Sequence, residues 1–186
     1  MGEEPLSLIE YCALRAYTGP LYVKYNNVLR APTSVFCQNK LKEMGMGKNR
    51  FATTIHVMSA AIVKLGKLTK ATTVYRAPGR ALAPSFWQQA RKGLAGIVET
   101  GCLSTSTDKA VAKQYAQSSS AKLLFELQLG YVARGADLGQ WGLSQYPSES
   151  EILMPPCTAL QIVENRIEQD VVVVVLRPTI RKPEAQ

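Results

Sequence analysis

The chain has a single histidine, His56, and its four cysteines, Cys12, Cys37, Cys102 and Cys157, never fall into a C-x-x-C spacing. A tetrahedral zinc site would have to gather every ligand from a distant stretch, so no metal is expected. His56 has no partner nearby in sequence to form a dyad and reads as an ordinary surface or half-buried side chain. No apolar run approaches the ~20 residues of a membrane-spanning helix. The longest, Val171–Leu176, has the length of a buried strand. The N-terminus, Met1-Gly2-Glu3-Glu4-Pro5, lacks the basic-then-apolar order of a secretory signal. A myristoylation pattern would want Ser or Thr where Leu6 stands. Free buried thiols in a reducing, cytoplasmic setting are therefore expected over disulfides, unless the chain is a domain cut from a longer protein. There is no internal repeat and no low-complexity stretch.

Charge of one sign is not concentrated anywhere. The formal net charge is +8, yet the basic residues are scattered. They fall at Lys40, Lys42, Lys48 and Arg50, at Lys64, Lys67 and Lys70, at Arg91 and Lys92, and at Arg177, Arg181 and Lys182. No helix face collects them and aromatics do not alternate with them. A nucleic-acid-binding module is thus the weaker reading, and an anionic small molecule, an acidic partner or mere solubility remain open. What the chain does have is a globular balance: 46% hydrophobic and 19% charged residues exclude disorder. Its 186 residues suit one domain with a real core.

Residues 1–70 read as mainly helical and 71–180 as mainly β. Leu6, Leu8, Ile9, Cys12, Ala13 and Ala16 form a stripe at helical spacing, broken at Gly19-Pro20. Leu21, Tyr22, Val28 and Leu29 suggest a second helix. Ser34 can cap a third, to about Met44, and Thr53 or Thr54 a fourth, from Ile55 to Leu65. Strands are expected over Thr72–Arg76, Gly101–Ser106, Leu123–Leu129, Glu149–Met154, Ala159–Glu164 and Val171–Leu176, the last central and buried. Helices are expected over Pro84–Lys92 and from a cap at Asp108 to about Gln117, and Gly93–Gly96 reads as a loop. The class is α+β, with a mostly antiparallel sheet system.

Three of the strand segments carry polar groups where a strand normally packs. Arg76 ends the first, and an arginine there offers a planar fork of donors to phosphate or ribose. Ser104 and Ser106 share a face of the second, with Thr105 opposite. Glu149 and Glu151 lie one residue apart. If extended, they would project from one face about 7 Å apart by the rise per residue. One such acid can hold a hydroxyl or a developing cation while the other accepts a proton. Alternatively, they are the solvated end of an exposed strand. Arginine, hydroxyl strand and acid pair together suit a substrate with phosphates and ribose hydroxyls.

In that order the segments resemble the arginine–serine–glutamate class of ADP-ribosyltransferases, the clade of cholera-toxin-like and vertebrate ecto-enzymes. Val74-Tyr75-Arg76 resembles the arginine motif, Leu103-Ser104-Thr105-Ser106 the S-T-S motif, and Ser148-Glu149-Ser150-Glu151-Ile152-Leu153-Met154-Pro155-Pro156 the E-x-E segment. Shorter stretches resemble it too: Tyr17-Thr18-Gly19, Asn27-Val28-Leu29-Arg30, Asp108 through Ala116, and Leu143-Ser144-Gln145-Tyr146-Pro147.

The resemblance implies N-terminal helices packed on a two-sheet β-sandwich core of the ADP-ribosyltransferase type, with NAD as substrate and no metal. It implies that Arg76 binds the phosphate and nicotinamide-ribose region. Ala77, Gly79, Thr105 and Ser106 would join it around the cofactor. Ser104 would hold the ribose and orient Glu151, and Glu151 would bond the ribose 2′-hydroxyl. Glu149 would position and help deprotonate an arginine acceptor, with Tyr146 recognising it. NAD hydrolysis, with water as acceptor, is the alternative. Three features depart from the family: Ala77 follows Arg76 where glycine is frequent, Ile97 follows Gly96, and Gly139-Gln140-Trp141-Gly142 looks inserted beside the acceptor face. Arg80, Phe86 and Trp87 lie where a loop could cover the cofactor, Trp87 reading as core.

Overall fold

The computed structural model describes residues 4–46, 50–70, 72–82, 87, 96–130 and 133–179. Ser7 starts helix α1 (Leu8–Ala16) with a capping box: its hydroxyl accepts from Glu10 N–H, and the Glu10 carboxylate accepts from Ser7 N–H. The buried face is Ala13, Leu14 and Tyr17, which packs on helix α4 (Ala52–Gly66) through Ile55, Met58, Ala61, Ile62 and Leu65. Leu8 and Ile9, expected on that stripe, are 76% and 70% exposed, and Cys12 is exposed as well. The packed face is instead the one that buries Ala13, Leu14 and Tyr17, with the Glu10–Lys64 ion pair at 3.0 Å on its edge. Glu10, Ala13, Leu14 and Tyr17 are the i, i+3, i+4, i+7 set of one helical face.

Gly19-Pro20 breaks the helical path as expected: Gly19 leaves helical angles (φ −90, ψ −163) ahead of the proline, and the Tyr17–Leu21 stretch is a kink between two helices. Helix α2 (Tyr22–Arg30) follows and buries Asn26 and Asn27 beside Tyr25. Ser34 caps helix α3 (Val35–Glu43), accepting from Cys37 N–H. The start of α4 is set otherwise than expected. Phe51, left-handed at φ 49, precedes it, with its ring edge-on to Tyr25 at 5.3 Å, so packing and not a threonine cap fixes this end.

The strands are β1 (Thr73–Arg76), β2 (Gly96–Glu99), β3 (Leu103–Ser106), β4 (Leu123–Gln128), β5 (Ala136–Asp137), β6 (Glu151–Met154), β7 (Thr158–Glu168) and β8 (Val171–Thr179). They hydrogen-bond in the order β2-β7-β8-β4-β1-β3-β6-β5. The β4–β8 pair is parallel and the others antiparallel. The β1–β3 joint rests on one register pair, Tyr75↔Ser106, so the strands form a single hydrogen-bonded order pinched at the arginine and serine segments. Helix α5 (Lys109–Ser118), capped by Asp108 on Ala110 and Val111 N–H, covers Leu124, Val171 and Val173 with Ala112 and Ala116.

Strand β6 is buried on both faces. Leu153 joins the helical core with Leu138 and Leu143, while Ile152 and Met154 join Val74, Leu103, Phe125, Leu127, Leu160 and Leu176 on the other side. Each such side chain contributes roughly 1.5–3 kcal/mol when fully buried. Two strands were not expected, β2 in place of a loop end and β5. Of the expected helix over 84–92, only Trp87 lies within the described residues, and it packs against the β-side core.

Candidate active site

Arg76 at the end of β1, Ser104 on β3, and Glu149, Glu151 and Tyr146 around the start of β6 line one cleft of about 540 Å³. The facing wall is helical, with Tyr17, Tyr22, Asn26, Asn27 and Arg30. A second cavity of about 400 Å³, lined by Phe36, Pro78, Arg80, Leu82 and Leu103 among others, meets the first at Asn27, Arg30 and Arg76. Each is within the ~300–1,000 Å³ of ligand cavities, and together they form an elongated space with a guanidinium at the junction. Arg80 stacks on Phe36 at 4.5 Å from the ring centre, bridging α3 and the loop after β1.

The acid pair is not extended. Pro147–Glu149 is a 3₁₀ turn, Ser150 is left-handed (φ 47, ψ 49), and the strand begins only at Glu151. Pro147 suits the first turn position because its φ is fixed and it has no donor to lose. Ser106 Oγ donates to the Glu149 carbonyl at 2.8 Å and Thr107 N–H to the Ser150 carbonyl at 3.2 Å, which holds the bend. Both acids still line the cleft, in different surroundings: Glu151 is 7% exposed, whereas Glu149 is exposed. Burial pushes the Glu151 carboxyl above the ordinary carboxylate range and the Glu149 charge adds to this. A hydrogen bond from Ser104 and the Arg76 charge pull it partly back.

Arg76 is deeply placed, and burial draws its pKa below the usual guanidinium value. Among the described residues its hydrogen bond runs from Nη1 to the Ser104 carbonyl at 2.6 Å. A guanidinium so placed offers a planar fork of donors suited to an anion. Of the S-T-S hydroxyls, Ser104 lines the cleft. Thr105 Oγ1 donates to the Ile152 carbonyl at 2.6 Å, and Ser106 holds Glu149 while accepting from Asp108 N–H at 3.0 Å. These two fasten β3 to the acid segment. Ala77 packs toward α5, away from the cleft. The positive φ after Arg76 falls at Gly79 (φ 69), so alanine at 77 is unstrained.

The sequence did not point to what joins the two walls. Arg30 makes a bidentate ion pair with Glu99, at 2.9 and 3.1 Å. Asn26 accepts from Cys102 N–H at 2.9 Å and donates to the Tyr17 hydroxyl at 3.1 Å. Gly101 lies so close that a Cβ there would come within 2.9 Å of Arg30 Nε and Asn26 Oδ1. The available signal was the Asn27–Arg30 stretch; Glu99 carried none. Cys102, fully buried, has its thiol pushed by burial up to about 12, which removes it as a nucleophile. All four cysteines are free. Among the described residues no group of three or more His, Cys, Asp or Glu converges on a metal-sized site, and no helix is long and apolar enough to cross a membrane.

The same fold occurs in solved ADP-ribosyltransferases. HopU1 of Pseudomonas syringae superposes with a TM-score of 0.69 at 23% identity, over 91% of this chain and 76% of that chain. The Vis toxin of Vibrio splendidus gives 0.68 at 22%, over 94% and 75%. The Clostridium limosum C3 exoenzyme gives 0.66 at 16%, over 96% and 88%. None of the curated proteins matches the chain. The family model for NAD:arginine ADP-ribosyltransferases matches residues 4–183, and the chain belongs to that family. It is an ADP-ribosyltransferase with NAD as its substrate.

Proposed function

We propose that the protein transfers ADP-ribose from NAD to arginine side chains of acceptor proteins, releasing nicotinamide. The observation that carries this reading is the division between a buried acid, Glu151, and an exposed one, Glu149, on opposite sides of one left-handed residue. Arg76, at the junction of the two cavities, takes the pyrophosphate region with its fork of donors. Ser104 holds Glu151 in place, and Glu151 accepts from the ribose 2′-hydroxyl. As the C1′–N bond breaks, its electron pair leaves with nicotinamide, which departs neutral. The Glu151 carboxylate stabilises the oxocarbenium-like sugar, and its dry setting strengthens that effect.

A free guanidinium is a poor nucleophile because its pKa lies above about 12. Glu149, at the cleft mouth, aligns the acceptor's guanidinium and takes its proton as the new N–C1′ bond forms. Tyr146, 55% exposed on the same turn, supplies an aromatic face beside it. The related fold of Vis was solved in complex with agmatine, an arginine mimic, and exoenzyme S of Pseudomonas aeruginosa bound to carba-NAD.

The test is labelled NAD with agmatine. An ADP-ribosyl-agmatine product is expected, lowered on the order of 10²–10³ by Glu151→Gln and cut by Glu149→Gln while NAD hydrolysis persists. Release of ADP-ribose alone, with no adduct to agmatine or to protein arginine, would make the chain an NAD glycohydrolase instead.

A further inference from the structure

The turn that carries Tyr146 and Glu149 is tied at both ends, to different parts of the molecule. The sheet holds its far end, through Ser106 and Thr107. The helical wall holds its near end. Arg15 Nη1 donates to the Leu143 carbonyl at 3.3 Å and also to the Ser144 carbonyl. In return, Gln145 Nε2 donates to the Arg15 carbonyl at 2.9 Å. Thr18 Oγ1 accepts from Gln145 N–H at 3.2 Å. These contacts arise where α1 ends at the Gly19 kink, a place where helical carbonyls are left without partners in the regular ladder. Arg15 lines neither cavity of the cleft.

The two acids depend on this tether unequally. Glu151 is fixed by its register opposite Ser106 and by Leu138 N–H on its carbonyl at 3.0 Å. Glu149 and Tyr146 sit on the short turn between the tether and the sheet. Loosening the tether therefore shifts the exposed acid and the aromatic and leaves the buried acid in its ladder.

We propose that Arg15 and Gln145 form a latch that positions the acceptor-binding turn, and so set the partition between transfer to arginine and hydrolysis of NAD. This rests on the proposed roles of Glu149 and Tyr146. The test compares Arg15→Met, Arg15→Lys and the exposed Gln145→Ala with wild type and Glu149→Gln. Agmatine transfer, NAD hydrolysis, KM for each substrate and Tm are measured. Arg15→Met is expected to lower the transfer-to-hydrolysis ratio about tenfold or more, the weight of one hydrogen bond from a charged donor. KM for agmatine should rise while KM for NAD and the hydrolysis rate stay within about twofold, the range of less than half a hydrogen bond. Arg15→Lys should recover part of the ratio, and Gln145→Ala, which keeps the arginine, should show the smaller loss of the same kind. Transfer and hydrolysis falling together with Tm would mean a purely structural residue and overturn the latch, as would an unchanged ratio in both Arg15→Met and Gln145→Ala. If Glu149→Gln itself leaves the ratio unchanged, the proposed function fails and the latch with it. If Glu149→Gln lowers it and the latch variants do not, the latch alone fails.

Discussion

Glu149 and Glu151 carry the same functional group two positions apart, and the fold gives them different acidities. Glu151 is raised by burial and by its neighbour's charge, so the ionised form that the proposed reaction needs at the ribose is lost at a higher pH than in an ordinary carboxylate. The acid limb of the NAD-hydrolysis profile should therefore lie above the usual carboxylate range. Glu149→Gln removes one of the raising charges and should move that limb to lower pH; a limb that stays put would mean the two carboxylates do not sense each other. The sign for stability is opposite to that for activity. A carboxyl whose folded pKa is raised adds stability below its unfolded pKa and loses it as pH rises through the folded value. Glu151→Gln should thus melt at or above wild type at pH 7, with the gap closing toward pH 4, while transfer falls on the order of 10²–10³, the scale for one electrostatic contact to a charged transition state. A variant that melts well below wild type at pH 7 would show that the charge is not a burden to the fold.

At the scale of elements, the legible parts were those whose cause is local. Ser34 and Asp108 announce α3 and α5 because a cap acts on backbone N–H groups two or three residues on. The bend at the acid pair was not legible, because Ser106 imposes it from 43 positions away. Strand β2 was hidden for a similar reason: Gly96–Glu99 becomes a strand only by pairing with Thr158–Gln161 at the sheet edge. The arginine, serine and glutamate segments, which the fold gathers at one cleft, stood out in the sequence because their chemistry is unusual for packed strands. Their supports were not, since Thr105 and Ser106 look identical in sequence to ligand-facing hydroxyls. Asn26 is such a support, joining α2 to the turn before β3. Asn26→Ala leaves the buried Cys102 N–H without its partner, which costs about 1–3 kcal/mol. Melting should fall by about 2–4 °C per kcal/mol for a chain of this size. An unchanged Tm would mean that water or a shifted side chain replaces the amide.

Across the whole molecule, the cleft has walls of different origin: the kink after α1 and helix α2 on one side, β1, β3 and the turn into β6 on the other. The walls are joined around the cleft by Arg30–Glu99, Asn26–Cys102 and the Arg15 tether. A dinucleotide lying between them adds a further link that exists only in the folded chain, so it stabilises by mass action, about 2.7 kcal/mol at a hundredfold excess over Kd. The corresponding rise in Tm is about 5–10 °C at this chain length. A non-hydrolysable NAD analogue separates this effect from turnover. On the proposed reading, in which Glu149 serves the acceptor and not the dinucleotide, Glu149→Gln should keep the whole shift. Arg76→Ala should lose most of it if the guanidinium at the junction of the two cavities meets the charged centre of the ligand, as proposed. Should Arg76→Ala keep the wild-type shift, the dinucleotide does not lie across that junction, and the assignment of the cleft would have to be redrawn around its helical wall.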